Sequence, residues 1–124
     1  MVGRRSEAIE HYRQAARLDP RDWKAHFELG GLLGQDGDIP GAKAESEAAV
    51  RLNPAFPTSH LNLGLALVKL GSLDEAERQF EETLRLDPGN MRASDYLGQV
   101  RALKKDKQKE SPRGMSIKAR EEPD

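Results

Sequence analysis

The sequence has no cysteine, few aromatic residues and almost no net charge, and each shortage excludes a class of function. Without cysteine it has no disulfide, thiolate metal ligand or cysteine nucleophile, and the redox compartment stays open. Because aromatic residues make up only 5% of the 124 residues, a core must consist mainly of leucine and alanine. The net charge of -1 lacks the basic excess that is typical of nucleic-acid-binding proteins.

Long apolar segments are missing as well. No stretch approaches the roughly 18 consecutive apolar residues of a membrane-spanning helix, and no apolar signal core follows the basic residues near the start. The sequence therefore predicts neither a membrane nor a nucleic acid as partner. The cytoplasm is the default compartment, with the nucleus left open.

What the sequence has instead is a period of 34 residues. Residues 17–20, Arg-Leu-Asp-Pro, recur with asparagine for aspartate at residues 51–54 and unchanged at residues 85–88. Alignment of residues 23–56 with residues 57–90 without gaps gives ten identities, where unrelated segments would share only a few. Small residues recur in the same phase at Gly3, Gly37 and Gly71, at Ala8, Ala42 and Ala76, and at Gly30, Gly64 and Gly98. The period therefore belongs to a structural unit.

Within each unit the apolar spacing is that of two helices separated by a turn. Apolar residues lie three or four positions apart on both sides of Gly71, namely Leu63, Leu67 and Leu70 before it and Ala76, Phe80 and Leu84 after it. Gly71 is expected to take a left-handed conformation, and residues 72–75, Ser-Leu-Asp-Glu, form a predicted capping box. In the preceding unit, Asp38 and Pro40 are expected to begin the second helix.

The proline that closes each unit is predicted to end its second helix. Proline cannot continue a helix, and it forces the residue before it out of the helical region. Asp22 and Asn90 follow two of these prolines and are predicted N-caps of the next helices. The repeated Arg-Leu-Asp-Pro segments are therefore corners between units rather than ligand-binding loops.

A helix–turn–helix unit of 34 residues with these markers resembles the tetratricopeptide repeat (TPR) family. The family pattern is Leu-Gly, a large residue, alanine, an aromatic residue, a small residue and proline. The matching residues are Leu29, Gly30, Leu33, Ala42, Ala49 and Pro54 in one repeat and Leu63, Gly64, Leu67, Ala76, Phe80 and Pro88 in the next. Ser46 departs from the pattern at the aromatic position. The resemblance implies an all-α fold, a right-handed superhelical stack of antiparallel helix pairs.

The phase of the repeat divides the chain into five parts. They are an N-terminal half repeat with only the turn glycine Gly3 and a second helix (1–20), two whole repeats (23–56 and 57–90), a capping first helix (91–105) and a charged tail (106–124). The tail has no aromatic residue and no apolar period, so we expect it to be disordered.

The leading half repeat is unusual, because its single helix is expected to lie partly uncovered at Ile9, Tyr12 and Ala16. Either the chain is a fragment or isoform of a longer array, or this surface docks onto another molecule. A large exposed apolar patch indicates an interaction surface. Homo-oligomerisation through these residues is therefore one predicted role.

Glycines also recur inside the predicted first helices. Gly30, Gly64 and Gly98 are expected to mark close approaches of the paired helix, because each costs about 1 kcal/mol relative to alanine. Gly31 and Gly34 add to this cost in the first whole repeat. Two interpretations stay open for them, sequence drift or a widened groove with exposed backbone.

The resemblance implies that the first helix of each repeat lines a concave groove. The implied lining residues are Lys24, Phe27, Gly31, Leu61, Asn62, Leu65, Lys69, Arg92 and Tyr96. We therefore expect a non-catalytic adaptor that binds a peptide segment of another protein there. A carboxylate clamp like that of chaperone-binding members is not expected, because Phe27 and Gly31 stand where its first repeat needs polar groups. The alternative is a structural self-association module.

Catalytic chemistry has no support in the sequence. His26 and His60 lie 34 positions apart, about 10 Å in packed helices, which is too far for a shared metal ion, and His11 adds no suitable spacing. The sequence has no glycine-rich phosphate loop after a strand and no nucleophile motif. It therefore predicts no enzyme, no catalytic residue, no metal site and no cofactor.

Overall fold

The computed structural model describes residues 2–110, and within them the chain forms six α-helices and no strand. The helices are α1 (Val2–Leu18), α2 (Trp23–Gln35), α3 (Ile39–Leu52), α4 (Pro57–Lys69), α5 (Leu73–Leu86) and α6 (Met91–Glu110). Consecutive helices pack on one another, and α2 also touches α4. By the 34-residue phase, the pairs α2–α3 and α4–α5 correspond to the two predicted whole repeats, α1 to the predicted second helix of the leading half repeat, and α6 to the predicted capping first helix. The predicted all-α stack is confirmed.

The repeated corners end their helices as predicted. The last residues of α1, α3 and α5 are Leu18, Leu52 and Leu86. Asn53 has φ -141° and ψ 80°, and Asp87 has φ -140° and ψ 82°, so both backbones are extended. The proline that follows each of them excludes the helical conformation at these positions.

The turns and caps follow local chemistry at most of the predicted positions. Gly37 and Gly71 have φ of 88° and 81°, the left-handed region in which glycine is favoured. The carboxylate of Asp22 accepts hydrogen bonds from two backbone N–H groups of α2, and Asp38 accepts one from α3. The capping box is wrong, because within the described residues the hydroxyl of Ser72 makes no capping hydrogen bond.

Two helix boundaries differ from the expectation. Because α1 begins at Val2, Gly3 lies inside the helix instead of at a turn. Helix α6 runs to Glu110, so residues 106–110 of the predicted tail are helical. Lysine, glutamine and glutamate are good helix formers, so they extend a helix without an apolar period. The rest of the predicted disordered tail, 111–124, lies outside the described residues.

The core consists of leucine and alanine around one aromatic ring. Phe80 of α5 is completely buried and lies against the backbone of Gly64, where an added Cβ would be only 2.6 Å from Phe80 Cε1. At Gly30 the nearest neighbour would be Ser46 Oγ at 2.9 Å. The expected close approach is thus confirmed at these two glycines. It is wrong at Gly98, where no described atom lies within 4 Å of an added Cβ.

The two equivalent histidines hold the repeat corners in place. His26 Nε2 lies 2.9 Å from the carbonyl oxygen of Pro20, and His26 Nδ1 lies 2.8 Å from Glu45 Oε1. His60 makes the corresponding contacts with Pro54 and Gln79, at 2.8 and 2.9 Å. Each histidine therefore ties a corner to the second helix of its own repeat.

Candidate functional site

A cavity of about 450 Å³ opens along the first helices α2, α4 and α6. It is lined by Gly30, Gly31, Gly34, Gln35, Ile39, Ala42, Asn62, Leu65, Ala66, Lys69, Arg92 and Tyr96. Ten of these residues belong to the three first helices, and Ile39 and Ala42 come from the start of α3. Because the three helices are successive first helices of the stack, the cavity is shared between repeats.

The extra glycines of α2 border this cavity and keep it wide. An added Cβ at Gly31 would meet only Asn62 Nδ2, at 4.0 Å, and an added Cβ at Gly34 would meet Ala42 Cβ at 3.7 Å. Both distances are ordinary contacts, so no close approach requires glycine at either position. The missing side chains leave the backbone of α2 exposed toward the cavity, which is the arrangement that the widened-groove interpretation requires.

The cavity is positively charged. Its lining includes Lys69 and Arg92 and, among residues 2–110, no aspartate or glutamate. No hydrogen bond or ion pair within the described chain engages these two cations or the amide of Asn62. By contrast, Arg101 and Lys104 on another side of α6 are paired with carboxylates of α5. The cavity therefore presents unpaired cations that favour an anionic ligand.

One wall of the cavity is apolar and fixed. The ring of Tyr96 stacks on Phe80 with ring centroids 5.7 Å apart and planes inclined by 22°. Tyr96 and Leu65 are both half-buried and pack against the larger core cluster. The tyrosine ring is thus packed on the core, and this wall offers apolar surface that suits an apolar side chain.

Six of the nine implied groove residues line the cavity: Gly31, Asn62, Leu65, Lys69, Arg92 and Tyr96. Leu61 does not, because it is only 2% exposed and belongs to the larger core cluster. The expectation that it faces a ligand is corrected, since burial in the core removes more apolar surface from water. Lys24 and Phe27 lie outside the cavity as well.

Phe27 belongs instead to an aromatic cluster that the sequence reasoning missed. Its ring lies 5.1 Å from that of Phe56, and the ring of Trp23 lies 4.8 Å from Phe56. Lys24 Nζ lies 5.9 Å from the centre of the Trp23 ring. The sequence does indicate part of this cluster, because Trp23 and Phe27 are four positions apart and therefore lie on one helix face.

The predicted self-association residues have different environments. Ile9 is only 7% exposed and packs with Leu29 and Leu33 of α2, so the expectation that it is uncovered is wrong. The reason is that Ile9 faces α2, which covers it. Tyr12 is half-buried, and its ring contacts that of His11 edge to face at 5.2 Å. Ala16 is half-buried and borders a second, smaller cavity.

That second cavity, about 330 Å³ between α1, α2 and α3, has a mixed lining. Its charged or titratable residues are Arg13, Arg17, His26, Asp38 and Glu45. His26 is hydrogen-bonded to Glu45, Asp38 accepts a hydrogen bond from the backbone N–H of Gly41, and Arg17 pairs with Glu10, so most of these groups already have partners. Among residues 2–110 no group of three or more potential ligands is placed to hold a metal ion. No helix within residues 2–110 has the length and apolar character needed to cross a membrane.

Comparisons with known proteins agree with the helical-repeat fold. The family model described as "Tetratricopeptide repeat" matches residues 32–90 and 61–110, and one described as "TPR repeat" matches residues 3–37. A search of curated proteins found no match.

Solved structures provide close neighbours of the fold. The first TPR of Spaghetti (RPAP3), bound to the HSP90 peptide SRMEEVD, has a TM-score of 0.79 and 25% identity, over 82% of this chain and 80% of that chain. The second TPR domain of human RPAP3, in complex with the HSP70 peptide SGPTIEEVD, has a TM-score of 0.76 and 25% identity, over 80% and 82% of the two chains. MamA has a TM-score of 0.79 and 26% identity, over 83% of this chain and 60% of that chain.

Proposed function

Because the chain belongs to the tetratricopeptide repeat family, we propose that it is a non-catalytic interaction module that binds an acidic peptide segment of a partner protein. The ligand lies in the cavity along α2, α4 and α6. The observation that carries this function is the charge of that cavity, which contains two cations without partners in the described chain and no carboxylate in its described lining. An acidic peptide supplies the missing partners.

The remaining lining groups suit an extended peptide. Asn62 can both donate and accept hydrogen bonds, so its amide fits a peptide backbone. Leu65 and Tyr96 offer apolar surface for one side chain of the ligand. The glycine backbone of α2 leaves room for the peptide to approach closely. Lys69 and Arg92 then contact its carboxylates.

The solved neighbours support the ligand class. The peptides in the two RPAP3 domains both end in Glu-Glu-Val-Asp, which is acidic with an apolar side chain between the charges. By the resemblance, the present chain lacks three groups of the full carboxylate clamp, at Phe27, Gly31 and Tyr96. We therefore expect it to bind such a peptide more weakly, and through Lys69, Arg92 and Asn62.

The test is fluorescence anisotropy with labelled SRMEEVD and with an amidated control peptide in which both glutamates and the aspartate are replaced by their amides. We expect the acidic peptide to bind and the amidated one to bind at least about tenfold more weakly. Lys69→Gln and Arg92→Gln should each weaken binding by about 2- to 5-fold, because exposed ion pairs contribute less than about 1 kcal/mol each.

Lys105→Gln is the matched control, because Lys105 is an exposed cation of α6 outside the cavity. It should leave the affinity unchanged. Equal binding of the two peptides, or equal effects of Lys105→Gln and Arg92→Gln, would contradict the proposed function.

A further inference from the structure

One face of α1 has no helix against it within the described residues. In the whole repeats, three positions of the second helix are at most 4% exposed: Ala42, Ser46 and Ala49 in α3, and Ala76, Phe80 and Thr83 in α5. The equivalent residues of α1 are Ala8, Tyr12 and Ala15, and all three are only half-buried. The difference is that, among residues 2–110, no first helix packs against this face of α1.

Helix α6 also has an uncovered face, on the side where a second helix would pack. It is a first helix, and within residues 2–110 no second helix covers it. Gly98 is exposed and has no described neighbour within 4 Å of an added Cβ, whereas the equivalent Gly30 and Gly64 lie against Ser46 and Phe80. Leu103 on the same helix is 44% exposed. Helix α6 thus presents an exposed glycine where the equivalent glycines of α2 and α4 are covered by a second helix.

The two open faces match position by position. Ser46 covers Gly30 and Phe80 covers Gly64, so the residue equivalent to them that would cover Gly98 is Tyr12. A tyrosine is large enough to cover Gly98, because Phe80 covers the equivalent Gly64 with a ring of the same size.

A second pair occupies the corner position of the same interface. His26 contacts Glu45 and His60 contacts Gln79, which are hydrogen-bonded pairs between the two helices of one repeat. Continuing the period places Ser94 of α6 opposite His11 of α1. A serine hydroxyl and an imidazole can form a hydrogen bond in this arrangement.

We propose that a second copy of this chain is the occupant, and that α6 of one copy packs on α1 of the next to complete a repeat. The contact continues the α2–α3 and α4–α5 packing already present in the chain. It also places α6 of one copy beside α2 of the other, as α2 lies beside α4 within one chain. Because two different surfaces meet, the association is head to tail and does not close at a dimer.

The charges of α1 and α6 determine how the assembly depends on ionic strength. Helix α1 has four arginines and two glutamates, and α6 has six basic and three acidic residues, so both helices are positively charged. Repulsion between them is screened by salt. Self-association should therefore become stronger as the ionic strength rises, whereas binding of an acidic peptide in the cavity should become weaker.

The test is sedimentation velocity of the 124-residue chain over a concentration series, with Gly98→Ala as the main variant. Among the described residues of one chain, an added methyl group at residue 98 has no neighbour within 4 Å, so the monomer should become more stable through helix propensity. In the assembly the same methyl group clashes with Tyr12 of the next copy, so the association should weaken at least about tenfold. Gly89→Ala is the matched control, since Gly89 also has no described neighbour within 4 Å of an added Cβ and the equivalent position is already alanine at Ala55, so it should leave association unchanged.

Mixing two variants distinguishes head-to-tail assembly from a symmetric dimer. Tyr12→Ala damages the α1 surface, and Gly98→Ala damages the α6 surface. An equimolar mixture retains one intact interface and should stop at a heterodimer, while each variant alone remains monomeric. A monomeric wild type up to about 1 mM, an association of Gly98→Ala equal to that of wild type, or a symmetric wild-type dimer would overturn the proposal.

Discussion

The three equivalent glycines allow one substitution to be compared in three environments. Gly64→Ala and Gly98→Ala both remove a glycine from a helix interior, so each gains about 1 kcal/mol of helix propensity. Their packing differs. At Gly64 an added Cβ would lie 2.6 to 2.9 Å from three atoms of the Phe80 ring, whereas at Gly98 it would meet no described atom within 4 Å. The difference between the two variants therefore isolates the packing contribution.

The free-energy cost of the added methyl group at residue 64 depends on how far the Phe80 ring must move. Carbon atoms in contact are about 3.5 to 4.0 Å apart, so the ring must move by about 1 Å to admit a methyl group at residue 64. Phe80 is fully buried, and overpacking a well-packed core costs about 1 to 3 kcal/mol. After the propensity gain of about 1 kcal/mol, Gly64→Ala should lower the free energy of unfolding by up to about 2 kcal/mol, while Gly98→Ala should raise it by about 1 kcal/mol.

Urea denaturation followed by circular dichroism at low protein concentration measures both variants on the monomer. We expect midpoints on opposite sides of the wild type, with Gly30→Ala shifted in the same direction as Gly64→Ala because Ser46 Oγ lies 2.9 Å from the added Cβ. If Gly64→Ala and Gly98→Ala move the midpoint in the same direction, the close approach of α4 and α5 does not determine the glycine at residue 64.

Three further predictions use other features of the fold. Gly31→Ala with Gly34→Ala should raise the melting temperature, because both positions have room for a methyl group, and should weaken SRMEEVD binding by narrowing the cavity; thermal melts and anisotropy check the two halves separately. Ser59→Ala should be neutral or stabilising by up to about 1 kcal/mol in urea denaturation, because the buried Ser59 hydroxyl has no hydrogen-bond partner among the described residues and the equivalent positions are Ala25 and Ala93. The hydrogen bond from Lys104 lowers the pKa of Asp74 and Glu77, so these carboxylates stabilise the fold above their ordinary values of 3.8 and 4.5 and lose that effect as the pH falls through their lowered values. Lys104→Gln should therefore destabilise the protein at pH 7 and have little effect once both carboxylates are protonated, and equal effects in neutral and strongly acidic urea titrations would argue against this coupling.

Much of the fold could be predicted because its signals are local. Proline and glycine act on the backbone within one or two residues, so the corners and the turns at Gly37 and Gly71 follow from the sequence alone. The repeat adds a second constraint, because each marker recurs 34 residues later. One failure is also local. Ser72 has the right sequence for a capping box, but its hydroxyl makes no capping hydrogen bond within the described residues.

The candidate site was less predictable, because its chemistry depends on which groups face one another. The sequence does not distinguish the three cations Lys69, Arg92 and Lys104. The packing of α6 on α5 shows that Lys104 is paired with carboxylates, while Lys69 and Arg92 line the cavity. The repeat position of Leu61 predicts that it lines the groove, but its side chain is buried in the core. Burial depends on neighbours that are distant in the sequence, so periodicity alone does not decide it.

The sequence by itself determined the repeat, the helix pairs and the corners, since backbone preference and apolar spacing act within a single unit. Only the tertiary structure decided that Gly64 lies against a ring while Gly98 has no such neighbour among the described residues, although both occupy the same position of the repeat. The physical reason is that a close approach is a property of two helices. At Gly98 the second helix is not part of the described chain, and we infer that Tyr12 of another copy fills this place.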